Sequence, residues 1–182
     1  MRSKKILCAA LCGVFACLLV GYALVRWLPS VSADGGRLIA FEEGKLYPVS
    51  YVYDGDTFAV KVGSRQAKVR MLGIDTPETV DPRKPVQCYG PESSAETKSL
   101  LEGHTVRLVA SPKREARDMY GRYLFYVYRD DGLFVNESLL TDGFAREYTY
   151  GTPYSMQSEF RGAETGAKEA RKGLWGTCGL GS

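Results

Sequence analysis

Residues 46–72 read LYPVSYVYDGDTFAVKVGSRQAKVRML, and this stretch decides the fold. Aromatic and β-branched residues crowd Leu46–Tyr53. Phe58, Val60 and Val62 alternate with Ala59 and Lys61 across Thr57–Val62. A period of two places alternate side chains on one face of a strand. Asp54-Gly55 and Gly63-Ser64 supply the turn chemistry between the runs. The spacing predicts an antiparallel meander of three strands, the last over 66–72.

Beyond the meander, Gly90-Pro91 opens a helix with acids Glu92 and Glu96 early and a stop at Gly103. Further strands are expected over 105–110 and 123–128, with Asp130-Asp131-Gly132 turning into a short strand over 133–135. Asn136 is expected to cap a short helix ending at Gly143, and Ser155 to cap the last helix. In that last helix Met156, Phe160, Ala163, Ala167, Ala170 and Leu174 recur at steps of four and three, an apolar stripe. About five strands and three helices make an α+β chain, and a five-stranded Greek-key barrel of the OB type fits that count and size. Periodicity alone does not separate it from other small α+β folds.

The leader reads differently. Arg2, Lys4 and Lys5 precede Ile6–Val25, which carries no charge; Arg26, Trp27 and Pro29 follow, then Val31-Ser32-Ala33. An N-terminal hydrophobic helix is expected here. One reading retains it as a membrane anchor, since about 20 apolar residues span the hydrocarbon core. The other cuts it as a signal peptide before Asp34, with Val31 and Ala33 at the cleavage site. Lipid attachment at Cys17 is a third reading. All of them place the rest of the chain outside the cytoplasm. The division expected is a leader at 1–33, a linker at 34–44 marked by Gly35 and Gly36, a domain at 45–178 and a tail at 179–182.

The 182 residues carry 24 Lys and Arg against 21 Asp and Glu. Four of those cations lie in residues 1–33, which leaves 20 basic against 21 acidic residues in the remainder. Binding of a polyanion by the domain therefore needs a local cluster of cations rather than overall charge. A single histidine, His104, disfavours an imidazole acid/base pair and a His-rich zinc site. Cys8, Cys12 and Cys17 lie in the leader, leaving Cys88 and Cys178. An exported domain favours joining them; two separate thiols is the alternative.

Three clusters carry candidate chemistry. Asp54-Gly55-Asp56-Thr57 places two carboxylates at a strand junction, where hard cations are held by oxygen. Taken alone it is also ordinary hairpin chemistry. An EF-hand is excluded, because Ala59 and Arg65 stand where that loop needs glycine and glutamate. Arg70-Met71-Leu72-Gly73-Ile74-Asp75-Thr76-Pro77-Glu78 delivers an arginine and two acids around one strand end, and Pro77 forces Thr76 to be extended. Asp118-Met119-Tyr120-Gly121-Arg122 offers an aromatic face and a guanidinium fork that matches phosphate oxygens. A surface salt bridge and a solvated arginine are the bland readings of these two.

Together these clusters resemble the thermonuclease family, the staphylococcal or micrococcal nucleases. The resemblance runs from about Lys45 to Trp175. It rests on Asp54-Gly55-Asp56-Thr57, Arg70 with Asp75-Thr76-Pro77-Glu78, Tyr89-Gly90-Pro91-Glu92, Tyr120-Gly121-Arg122, Val135-Asn136-Glu137 and Gly173-Leu174-Trp175, in that order. The resemblance implies an OB-fold barrel with three helices and a calcium-dependent phosphodiesterase acting on DNA and RNA. Asp56 and Asp75 match the family's calcium carboxylates, with the Thr76 carbonyl as a further oxygen. Glu78 matches the general base, and Arg70 and Arg122 the two catalytic arginines. Tyr120 matches a tyrosine at the nucleotide site. Tyr148 matches a second one, in a segment one residue shorter than the family's. Met119 stands where the family's prototype has a lysine that contacts a terminal phosphate. Single strands are the expected substrate form, a monomer the expected state, and a catalytically silent nucleic-acid-binding barrel the rival reading.

Overall fold

The alternating segments pair as their pattern requires. In the computed structural model, which describes residues 38–79, 85–112 and 116–178, β1 (Leu46–Asp54), β2 (Thr57–Val62) and β3 (Arg65–Met71) form the antiparallel meander. β5 (Thr105–Val109) pairs antiparallel with β6 (Tyr123–Arg129). The barrel then closes through two contacts, antiparallel β1 to β5 and parallel β3 to β6, in the order β1-β2-β3-β6-β5. Closure leaves no open sheet edge. Its interior holds Val52, Phe58, Val60, Ala67, Val69, Met71, Val106, Leu108, Phe125 and Val127, the inward set of each alternation.

The helices sit outside: α1 (Gly90–Leu101), α2 (Val135–Thr141), α3 (Gln157–Glu169) and the single turn α4 (Leu174–Thr177). α1 packs on β1, and α2 on both β6 and α3. The stripe expected on the last helix is used in part. Phe160 and Ala167 are buried, Met156 and Ala163 pack against the core, and Leu174 is buried from α4 after a break that exposes Ala170. A two-stranded ribbon of β4 (Ile74–Asp75) and β7 (Arg146–Glu147) extends one end of the barrel.

Three local expectations are corrected. Leu133–Val135 is not a strand: a lone bridge joins Tyr128 to Phe134, and α2 starts at once at Val135. Asn136 is therefore inside the helix and is not its cap. Its fully buried amide donates to the Leu72 carbonyl and accepts from the Val127 N–H, both at 2.9 Å, tying α2 to the residue after β3 and to the middle of β6. Ser155 does not cap α3 either. Its hydroxyl lies 3.0 Å from the Tyr126 hydroxyl, and Met156 occupies the cap position without a side-chain bond.

Within the span expected as a linker, Ile39 and Phe41 pack against the core. The Phe41 ring meets Tyr47, Tyr123 and Phe125 edge-on at 4.8–5.5 Å. Cys88 and Cys178 form a disulfide between the segment before α1 and the residue after α4. The hydrophobic helix, anchor, signal-cleavage and tail expectations lie outside the described residues. Among the described residues no helix is long and apolar enough to cross a membrane.

Candidate active site

The turn from β1 to β2 brings Asp56 beneath the end of β4. Gly55 makes the approach possible, because a Cβ there would lie 2.6 Å from the Thr76 hydroxyl. The Thr97 hydroxyl of α1 donates to the Gly55 carbonyl at 2.5 Å and fixes the turn from behind. Asp56 is almost fully buried, and both of its carboxylate oxygens are engaged. It accepts from the Thr57 hydroxyl at 2.8 Å and the Thr76 N–H at 3.1 Å, and it pairs with Arg70 Nη1. Arg70 Nη2 donates in turn to Asp75 Oδ1 at 2.6 Å and to the Ile74 carbonyl at 3.2 Å. One guanidinium thus bridges the two carboxylates, one Nη to each, through charge-assisted hydrogen bonds.

The electrostatics follow from burial. Loss of solvent pushes the Asp56 carboxyl above its ordinary range, while Arg70 pulls it back. Burial also opposes the Arg70 charge, but Asp56 and Asp75 outweigh it and hold the guanidinium above its usual value. Behind them Asp54, raised by burial, accepts from the Thr79 hydroxyl at 2.7 Å and the Gly55 N–H at 2.9 Å.

Glu78 follows Pro77 on the same side. Its main chain is held twice by one residue. The Glu78 N–H donates to the Gln87 side-chain oxygen at 2.9 Å, and the Gln87 N–H to the Glu78 carbonyl at 3.0 Å. One carboxylate oxygen of Glu78 accepts from the Thr79 N–H at 3.0 Å.

Across the cleft the turn before β6 is organised by Asp118. This carboxylate accepts the Tyr120 and Arg122 N–H groups, both at 2.9 Å, and the Arg122 Nε at 2.6 Å. The Arg122 guanidinium lies 5.3 Å from the Tyr120 ring centre. Tyr120 is 76% exposed and Met119 is 79% exposed, so this rim faces solvent. Gly73, at φ 80°, lets the Tyr154 ring pack against its open side, where a Cβ would come within 2.7 Å. The Gly73 carbonyl receives the Tyr148 N–H at 3.0 Å and the Tyr154 hydroxyl at 3.1 Å.

Arg70, Asp75, Glu78, Tyr120, Arg122 and Tyr148 line one cleft of about 1160 Å³. Asp56 and Thr76 lie buried behind it, joined to it through Arg70 and through each other. The expected site residues thus converge, and the disulfide pair Cys88 and Cys178 stands apart as a tie between two chain segments. Sequence reading missed Gln87, which holds Glu78, and the cleft-lining Lys68, Arg117 and Tyr150. Arg117 had a faint signal, immediately before a cluster already noted. Gln87 had none.

A closed five-stranded barrel with arginines, carboxylates and exposed tyrosines around one cleft is chemically suited to receive a phosphate-bearing chain. The particular family follows from comparison. Residues 68–177 match the Staphylococcal nuclease homologue family, and the chain belongs to it. It is 41% identical over 129 residues to a thermonuclease of Staphylococcus hyicus, covering 71% of this chain and 75% of that one. It is 38% identical over 132 residues to a thermonuclease of Staphylococcus intermedius, covering 72% and 77%. It is also 39% identical over 127 residues to the endonuclease YncB of Bacillus subtilis (strain 168), covering 69% and 59%.

Proposed function

We propose that this chain is an exported, calcium-dependent nuclease that cuts DNA and RNA with little sequence preference. Its membership of the family, with thermonucleases and an endonuclease among its relatives, makes it a nuclease, a hydrolase of phosphodiester bonds. The observation that carries the finer reading is the convergence of Arg70, Asp75, Glu78 and Arg122 on one cleft, with buried Asp56 behind Arg70.

A phosphodiester repels an incoming hydroxide, so hydrolysis needs a base for water and positive charge for the crowded transition state. Glu78 takes the proton of the attacking water at its carboxylate, a contribution typically of about 10²–10⁴ in rate. Arg70 and Arg122 donate to the equatorial phosphate oxygens as charge builds there. Both stay protonated throughout, so the leaving oxygen takes its proton from solvent water as the P–O bond breaks. Tyr120 and Tyr148 offer ring faces to bases. Stacking tolerates any base and favours single strands, whose bases splay.

The residues present fit a hard divalent ion. Asp56 and Asp75 would hold it, with the Thr76 carbonyl as a third oxygen. The Asp56 carboxyl is pushed up by burial and gains from a cation beside it. The buried Thr76 hydroxyl beside these carboxylates has no hydrogen-bond partner. Among the described residues no three His, Cys, Asp or Glu side chains cluster, so oxygens from main chain and water would complete the shell. Bound there, the ion supplies Lewis-acid polarisation of a phosphate oxygen.

Export is supported by the apolar leader and by the Cys88–Cys178 disulfide, which suits an oxidising compartment. The test is incubation of heat-denatured DNA and of RNA with calcium and with a chelator. Cleavage is expected with calcium alone. Binding without cleavage in either condition would instead mark a catalytically silent module.

A further inference from the structure

β3 carries the cleft's chemistry beyond the cleft. Its alternation buries Ala67, Val69 and Met71 and turns Gln66, Lys68 and Arg70 to the other side. Lys68 lines the same cleft as Arg70, one side-chain step along the strand. At about 3.3 Å per residue, that step is about 7 Å. The pairing register then extends the row across the sheet, because Ala59 faces Tyr51 on one side and Lys68 on the other.

The three side chains at this place form one surface. The Lys68 ammonium lies 4.3 Å from the centre of the Tyr53 ring. The Tyr51 and Tyr53 rings meet edge-to-face at 4.8 Å. Tyr51 is 57% exposed and contributes nothing to the barrel interior. Among the described residues Lys68 forms no salt bridge, whereas the neighbouring Arg70 is held by two carboxylates. The far end is closed by Gln66, whose amide donates to the Ser50 hydroxyl at 2.9 Å. An isolated exposed tyrosine needs no explanation. An exposed tyrosine backed by a half-buried one, with an unneutralised ammonium beside them and continuous with an arginine-lined cleft, has the two features of a single-strand site: a cation that follows the backbone and a ring for a base.

We propose that Tyr51, Tyr53 and Lys68 form a further binding subsite for the single-stranded substrate, one to two nucleotides beyond the phosphate held at Arg70. Lys68 meets the next phosphate, Tyr51 stacks on a base, and Tyr53 orients both side chains. The proposal rests on the nuclease reading above and deepens it. Occupancy depends on chain length: a dinucleotide fills the cleft alone, while a longer strand also fills the outer shelf.

The experiment uses the full disulfide-bonded chain and single-stranded oligothymidylates of two, four, six and eight nucleotides. kcat/KM with calcium is measured for the native sequence, Tyr51→Ala and Lys68→Gln, and thermal melting checks that each variant folds. In the native sequence kcat/KM rises with length to a plateau. Tyr51→Ala lowers the octanucleotide value about 5- to 30-fold and leaves the dinucleotide unchanged. Lys68→Gln lowers the slope of log affinity against log salt by about 0.7, the value for one phosphate of a single strand. Anisotropy with the octanucleotide in a Glu78→Gln background repeats the comparison without turnover.

Equal values for the native sequence and Tyr51→Ala at every length, with cleavage intact, would overturn the subsite and leave the nuclease reading standing. Absence of cleavage, with binding of the octanucleotide still dependent on Tyr51, would overturn the nuclease reading and leave the subsite. A Tyr51-dependent dimer in sedimentation, with no length dependence, would assign this face to a second copy of the chain and overturn the proposal.

Discussion

The cleft has two kinds of wall: a barrel wall, where Asp56, Arg70 and Asp75 are interlocked with the strands, and a loop wall, where Glu78 beside them and Tyr120 and Arg122 across from them stand on connecting segments. Asp56 and Arg70 expose 2% and 16% of their side chains and neutralise each other. The loop wall depends on local ties, the Gln87 clamp on Glu78 and the Asp118 turn under Arg122. The difference teaches that the same substitution type reports different things on the two walls. On the barrel wall a lost charge disturbs folding and chemistry together. On the loop wall it disturbs chemistry with little cost in stability.

The largest effect expected lies in the tie beneath the loop wall. The Cys88–Cys178 disulfide spans a sequence separation of 90 residues. In the chain-entropy account, a loop of that length constrains the unfolded state by about 4–5 kcal/mol. Denaturant unfolding of a Cys88→Ser/Cys178→Ser double variant should show a loss of that order. A change under 1 kcal/mol would mean that the barrel wall alone carries the stability. On the barrel wall itself, Asp56→Ala should cost about 3 kcal/mol, the low end for breaking a buried pair because Asp75 remains on Arg70. The same variant should need more calcium for half-maximal activity. An unchanged calcium titration would displace the proposed metal site.

Glu78→Gln then separates the walls most cleanly. Turnover should fall at least about 100-fold, equivalent to about 2.7 kcal/mol of barrier, while the melting curve stays in place. Near-native turnover would remove Glu78 as the base, and a large drop in melting temperature would place it with the barrel wall.

The two walls also differed in how far the sequence revealed them. The barrel strands and the Asp56, Arg70, Asp75 and Glu78 motifs were legible because strand periodicity and short motifs are local signals. Asn136 was misread for the opposite reason. A polar residue before a short helix has the look of a cap, yet its partners are the main chains of Val127 and Leu72, 9 and 64 residues away. Nothing in the local pattern distinguishes a cap from a buried bridge. Phe41 was passed over as linker because its ring partners, Tyr123 and Phe125, lie on a distant strand. Lys68 and Tyr51 look like ordinary surface residues until the register places them in one row.

The smallest effect sharpens the comparison furthest. Gln87 holds Glu78 at its main-chain N–H and carbonyl, so it positions the base without approaching the reacting atoms. Removing its side-chain oxygen in Gln87→Ala leaves the Glu78 N–H without its partner at an exposed place, where water can replace the bond. Stability should therefore change by less than about 1 kcal/mol. Positioning is more sensitive than stability, because small displacements of a catalytic group lower rates disproportionately. kcat should fall about 3- to 10-fold with KM unchanged. Gln87→Glu, which keeps an acceptor oxygen at the same reach, should restore most of the rate. Loss in KM rather than kcat, or no rescue by glutamate, would show that Gln87 supports the substrate surface and not the base.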